Sequence, residues 1–254
     1  MQSILPAHAP LIALCAIALV ILLIVWGVIH AAASARRRRR KAGLRDWAFR
    51  NGFDYTEGPV PARDLASIQF FATDTVVRDV TATNIVRGPR GTNVTLLDLH
   101  RTTRSYSGPY GIRAPSTDST HTYALFNLAD PVPSFSFTAL TADGPDTERG
   151  QALAQLTRLA QSAPGRSDHI AVPDHPGFLL ISHGGEAAPL FTSERVRFFE
   201  DKCGWTVLGE GSWLLLSADP MIYEHGWKRM PVVDVTNYDD FVDLATAIRQ
   251  YFAT

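Results

Sequence analysis

The stretch VTATNIVRGPRGTNVTLLDL, Val80–Leu99, decides the fold class. Two strand-like segments, Val80–Arg87 and Val94–Leu99, flank Gly88-Pro89-Arg90-Gly91-Thr92-Asn93. Glycine supplies positive φ and proline presets a turn, so the connector reads as a hairpin and the two segments as antiparallel neighbours. A phosphate-binding loop is the competing reading of a glycine-rich connector. It needs a Lys-Ser/Thr ending and a following helix, and neither is present.

Outward from this hairpin the same pattern repeats. Ile68–Phe71 and Thr122–Leu128 read as further strands, with Pro59 and Pro61 marking a turn before the first. Beyond residue 165 come Ile170-Ala171-Val172, Phe178–Ile181, a helix beginning near Ser193, and the pair Trp205–Leu208 and Trp213–Leu216. That pair flanks Gly209-Glu210-Gly211-Ser212, which reads as a second hairpin. Trp205 and Trp213 read as core. Leu153, Leu156, Ala160 and Ala163 form a helical stripe stopped by Pro164-Gly165. The clearest helix is C-terminal, with Phe241, Leu244, Ala245, Ile248, Tyr251 and Phe252 on one face. Thr236 or Asn237 can cap it, and Asp239 and Asp240 suit the positive end of its dipole. Hairpin-like pairs outnumber strand–helix–strand crossovers, so the expected class is α+β, mostly antiparallel strands with helices packed on one side. Two lobes are expected, 43–164 and 165–254.

A different solvent governs the N-terminus. After a short tail, residues 1–10, Leu11–Ile29 is a 19-residue run without a charge, and Arg36-Arg37-Arg38-Arg39-Arg40-Lys41 follows it. As a helix the run reaches about 28 Å, close to the ~30 Å of a bilayer's hydrocarbon core. Trp26 suits the headgroup level, Ala31–Ala35 would carry the helix out, and the segment 11–35 reads as a transmembrane helix with a basic stop at 36–41. Cations beside a span are retained on the cytoplasmic side. The order predicts a cell (inner) membrane protein, N-terminus outside and residues 42–254 cytoplasmic. Ala33-Ser34-Ala35 also matches a signal-peptide cleavage pattern. Against that, no cation precedes the apolar run, and six cations directly follow the cleavage point. The basic cluster is expected to meet the bilayer through anionic headgroups, at about 1 kcal/mol per residue near the surface.

Composition bounds the partners. Outside the cluster there are 24 − 6 = 18 basic residues against 25 acidic ones, and such an acidic domain is a poor match for nucleic acid. The two cysteines, Cys15 in the apolar run and Cys203 in the remainder, allow no disulfide within the remainder. Arginine outnumbers lysine 21 to three, a codon-usage hint of a GC-rich bacterial genome.

Arg101–Thr120 is a polar stretch rich in glycine and proline, long for a loop inside a compact domain. Arg101, Arg104, Tyr106, Tyr110 and Arg113 supply cations and amphipathic rings, the residue types that dominate binding surfaces. A mobile surface loop is the leading reading of this stretch; a binding loop is the alternative, and these five are its candidate binding residues. Chemistry is hard to find elsewhere. Asp168-His169, Asp174-His175 and His183 match no zinc spacing, so neither metal nor other cofactor is expected. Ser182-His183 places a serine beside a histidine without making a triad. Nucleophile elbow, His-Glu-x-x-His, Cys-x-x-Cys and Walker patterns are all missing.

Several motifs carry a resemblance: Leu44–Gly52 with Phe53, Asn84-Ile85-Val86-Arg87-Gly88 with Gly91, Val94–Asp98, Asp174-His175-Pro176 with Phe178, and Gly204-Trp205 followed by Gly211–Leu216. In these the chain resembles a family of uncharacterised bacterial single-pass membrane proteins. The resemblance implies an N-terminal span, a basic stop and a soluble α+β domain, and it transfers no catalytic residue. The chain departs from the pattern at Leu99-His100, where an aromatic is usual, and in its longer 101–120 segment. Three functional classes follow in order: a membrane-tethered interaction module, an enzyme drawing on His100, His121, Asp174 and His175, and a lipid- or small-ligand-binding domain.

Overall fold

The computed structural model describes residues 9–71, 77–89, 93–103, 106–107, 112–113, 117–139, 168–171, 178–182, 186–200, 205–217 and 233–252. It divides into two compact units, Met1–Asp46 and Trp47–Thr254. The first unit is helical from Ala9 onward as part of helix α1, Ala9–Arg50. Its large apolar side chains between Ile12 and Ile29 stand 51 to 68% exposed. Among the described residues α1 alone is long and apolar enough to cross a membrane or to serve as a signal sequence.

The second unit is α+β, and every strand pairing among its described residues is antiparallel. It opens on the last residues of α1. Gly52 at φ +72° reverses the chain there, and the amides of Gly52 and Phe53 donate to the carbonyls of Phe49 (3.3 Å) and Ala48 (2.8 Å). This double bond pattern closes a helix end with a left-handed residue, and the Phe53 ring completes it by packing 5.1 Å from Trp47.

The main sheet is ordered β1 (Asp54–Thr56), β3 (Val77–Arg87), β4 (Val94–Thr103), β7 (Thr117–Ala139), β9 (Phe178–Ser182), β8 (Asp168–Ala171). The short β2 (Val60–Pro61) joins β3, and β10 (Thr206–Ser217) joins the other side of β7. Strands from both sides of residue 165 therefore share one sheet. The Val80–Leu99 stretch is the hairpin expected of it: Arg87 faces Thr95, and the Gly88 amide donates to Val94 at 2.9 Å. Between the pairs Thr83–Asp98 and Val86–Leu96, β3 carries one residue more than β4. This is a bulge, and Asn84 sits in it at φ +50°, a conformation asparagine tolerates better than most residues.

One face of the sheet packs Val80, Ala82, Leu97, Leu99, Leu125 and Leu215 beneath Ala62, Ala66, Ile68 and Phe71. The other face carries two helices, α2 (Ser193–Glu200) and α3 (Tyr238–Gln250). Phe199 of α2 meets Phe137 at 4.9 Å, Phe241 of α3 stacks on Trp205 at 5.5 Å, and α2 and α3 touch through Phe198 and Tyr251. The Tyr238, Phe241, Ala245 and Ile248 stripe of α3 is buried as its spacing requires. Its entry differs from the sequence reading: Asn237 stands at the N-cap without a side-chain bond, and the capped turn is the 3-10 turn Val235–Asn237 before it. The side chain of Asp234, not of Thr236 or Asn237, accepts a backbone amide, that of Thr236 at 3.1 Å, and Asp239 accepts the Trp47 indole N–H at 2.8 Å.

Two expectations are corrected. Ile68–Phe71 is not a strand: Gln69–Phe71 is a 3-10 turn, closed by the Phe71 amide donating to Ile68, while the Gln69 amide donates to the Glu210 carboxylate at 2.8 Å. A four-residue segment with three apolar positions is too short for period alone to separate strand from turn. Nor is Gly209–Ser212 a hairpin. Thr206–Ser217 is one continuous strand along β7, with register shifts at Gly209/Gly211 and Gly211/Trp213. Gly209 lies opposite Phe135, whose ring occupies the place of a side chain: a Cβ there would stand 2.2 Å from Phe135 Cε1. The shifts also exchange faces. Leu208 and Trp213, an odd number of residues apart, pack against the same core cluster, which an unbroken pleat forbids. On β7 the irregularity falls where Pro131 and Pro133 lie, between the end of pairing with β4 at Phe126 and its start with β9 at Phe135. There the missing proline donors disturb only one ladder.

Candidate functional site

The most organised polar group in the second unit is buried. Asp98 on β4 receives Asn84 Nδ2 at 2.8 Å on one carboxylate oxygen and the Thr122 hydroxyl at 2.7 Å on the other. The Tyr55 hydroxyl donates to Asn84 Oδ1 at 2.9 Å, and the Val233 amide donates to Thr122 Oγ1 at 3.2 Å. Asp98 is 2% exposed and Thr122 3%. Such a carboxylate is stable only when hydrogen-bonded. Sealed from solvent, it ties together β1, the β3 bulge, β4, β7 and the segment entering α3. Its chemical capacity is that of a lock. Sequence reasoning gave Asp98 no role, although an ionisable residue inside Leu96-Leu97-Asp98-Leu99 was the available signal.

Of the candidate binding residues, Arg101, Tyr106 and Arg113 lie at or beyond the Thr103–Thr117 end of the β4–β7 ladder. Arg101 is half-buried on β4, with its guanidinium 4.9 Å from the Phe70 ring centre. Phe70 in turn lies 5.8 Å from Tyr123, and Tyr123 lies 6.3 Å from His121. The β4–β7 ladder closes at Thr103–Thr117. Beyond it β5 (Tyr106–Ser107) pairs with β6 (Ile112–Arg113), Tyr106 directly opposite Arg113. The 101–120 segment thus carries a small hairpin at its described positions. Arg104 and Tyr110 lie outside the described residues.

Of the histidines named for catalysis, the two described ones, His100 and His121, are not gathered. Leu99 faces His121 while His100 faces Thr120, so the two imidazoles occupy successive register positions and leave opposite faces of the sheet. His100 Nδ1 is 3.1 Å from Thr120 Oγ1. Asp174, His175, His183 and Cys203, and the predicted helical stripe from Leu153 to Ala163, lie outside the described residues. Ser182 is buried and accepts the Ala187 amide at 3.1 Å. Among the described residues no three metal-ligating side chains come together.

On the first unit, Trp26 is exposed and meets His30 edge-on at 4.9 Å. Arg36, Arg37, Arg38 and Arg39 are exposed, and Arg40 and Lys41 are half-buried.

No family model and no curated protein matches the chain. A solved structure is similar. It is the crystal structure of the mycobacterial trehalose monomycolate transport factor A, TtfA, 16% identical, covering 84% of this chain and 90% of that one at a TM-score of 0.45. A likeness at that score bears no functional weight.

Proposed function

We propose that the chain is a membrane-anchored interaction module. In this reading residues 11–35 span the cell (inner) membrane with the N-terminus outside. The domain in residues 42–254 faces the cytoplasm, and the 101–113 hairpin is its capture element. The observation that carries it is the exposure of the large apolar side chains from Ile12 to Ile29 on a helix that continues into six cations. Confinement to a surface raises the effective concentration of the domain for partners on the same surface. At the hairpin, Tyr106 opposite Arg113, with Arg101 seated on Phe70, supplies the aromatic and guanidinium groups that anchor protein interfaces.

Affinity capture of the full chain from gently solubilised membranes tests the reading, with a chain of residues 1–42 as control. The expected result is a stoichiometric protein partner absent from the control and lost when Arg104–Arg113 is deleted. Capture unchanged by the deletion removes the hairpin from the site. A reporter fused after Thr254 that works only outside the cytosol reverses the orientation.

A further inference from the structure

The first unit carries a second feature, which rests on the membrane reading of α1. Successive helical residues turn by 100°, so Arg36, Arg37, Arg38 and Arg39 point into four different quadrants, and all four are exposed. They form a collar around the helix, not a stripe along it. Between the apolar run and the collar stand His30, Ala31, Ala32, Ala33, Ser34 and Ala35, five of them with very short side chains. The helix is therefore thin for about 7.5 Å, over Ala31–Ala35, just below its ring of cations. Arg36 follows Ile29 by about 10 Å along the axis and Arg39 by about 15 Å. The headgroup layer is roughly 5–7 Å deep on each side of the hydrocarbon core. Helical side chains lean toward the N-terminus, which here is toward the bilayer, and arginine stems extend so that the guanidinium reaches a preferred depth. The collar thus leans back over the thin segment at the level of the lipid phosphates.

We infer that the waist Ala31–Ala35 beneath the Arg36–Arg39 collar is a headgroup site, gathering a ring of anionic phospholipids around a lone anchor helix. Charge complementarity selects the occupant, and the narrow waist provides the room. A second copy of the helix is disfavoured at this level because a collar has no uncharged side on which to pack. Each headgroup faces about one guanidinium, so its selection over a zwitterionic one is roughly five-fold.

The test uses the full chain in vesicles of equal parts phosphatidylcholine and phosphatidylglycerol, with spin-labelled versions of each lipid reporting the motionally restricted shell. The expected result is that labelled phosphatidylglycerol is restricted about five-fold more than phosphatidylcholine. The quadruple Arg36,37,38,39→Gln variant should show parity, and the corresponding Lys variant should keep the selection. Parity in the unmodified protein overturns the inference. So does selection that survives in the Gln variant, or selection that the Lys variant loses. Flotation separates this from failure of the membrane reading: a chain that does not insert fails to float with either lipid. In a Cys203→Ser background, oxidative cross-linking through Cys15, exposed on the span, should fall toward nothing as lipid is added. A cross-link that persists on lipid dilution overturns the lone helix.

Discussion

Gly88–Asn93 and Gly209–Ser212 look alike as text: polar, glycine-bearing connectors between apolar segments. One reverses the chain and the other does not. The first holds Pro89 and ends on Asn93 at φ +52°, and the strands it joins pair with each other. The second lies along a longer partner. Gly209 admits the Phe135 ring, Gly211 takes φ +57°, and the strand changes face without changing direction. The difference teaches that glycine marks an unusual backbone, while the partner strand decides whether that backbone is a turn or a bulge.

Perturbations of the two connectors should separate these roles. Inserting two residues between Glu210 and Gly211 displaces half of β10 from β7, and chemical denaturation should show more than about 4 kcal/mol lost, or no folded protein. Gly209→Ala drives a methyl into Phe135 and should cost about 3 kcal/mol, partly restored by Phe135→Leu in a double-mutant cycle. Asp98→Ala strips the lock that holds the β3 bulge near the true hairpin. It leaves buried donors on Asn84 and Thr122 and should cost about 2–3 kcal/mol by the same assay. Gly211→Ala meets no atoms, only its left-handed φ, and should cost about 1 kcal/mol. Two residues added between Arg90 and Gly91 only lengthen the connector and should cost about 0.3 kcal/mol. Equal costs for the two insertions would erase the distinction.

Much of the architecture was legible. Period and turn chemistry identify the Val80–Leu99 hairpin, the α3 stripe and the apolar run because each depends on residues close in the chain. The losses share a cause. Gly209 is read correctly only with Phe135, Gln69 only with Glu210, and Asp98 only with Asn84 and Thr122. Each of these pairings joins residues from different strands or turns, and no local pattern encodes them. The same holds for the histidines: His100 and His121 are both visible in the sequence, but only the register places them on opposite faces. Arg101 was singled out for its charge. Its seat on Phe70 requires the 3-10 turn that was read as a strand.

The double partnership of β7 has a consequence for how the domain acquires its structure. Its pairs with β4 run from Thr103–Thr117 to Val94–Phe126, no more than 32 residues apart, whereas its pairs with β10 join residues 68 to 94 positions apart, from Thr206–Thr138 to Ser217–Tyr123. Closing the longer loops costs more chain entropy before any contact repays it. The β3–β4–β7 meander should therefore form first and serve as the template on which β10 is laid. Substitutions at Leu97 or Leu125 would then slow folding, whereas those at Leu214 or Leu216 would mainly speed unfolding.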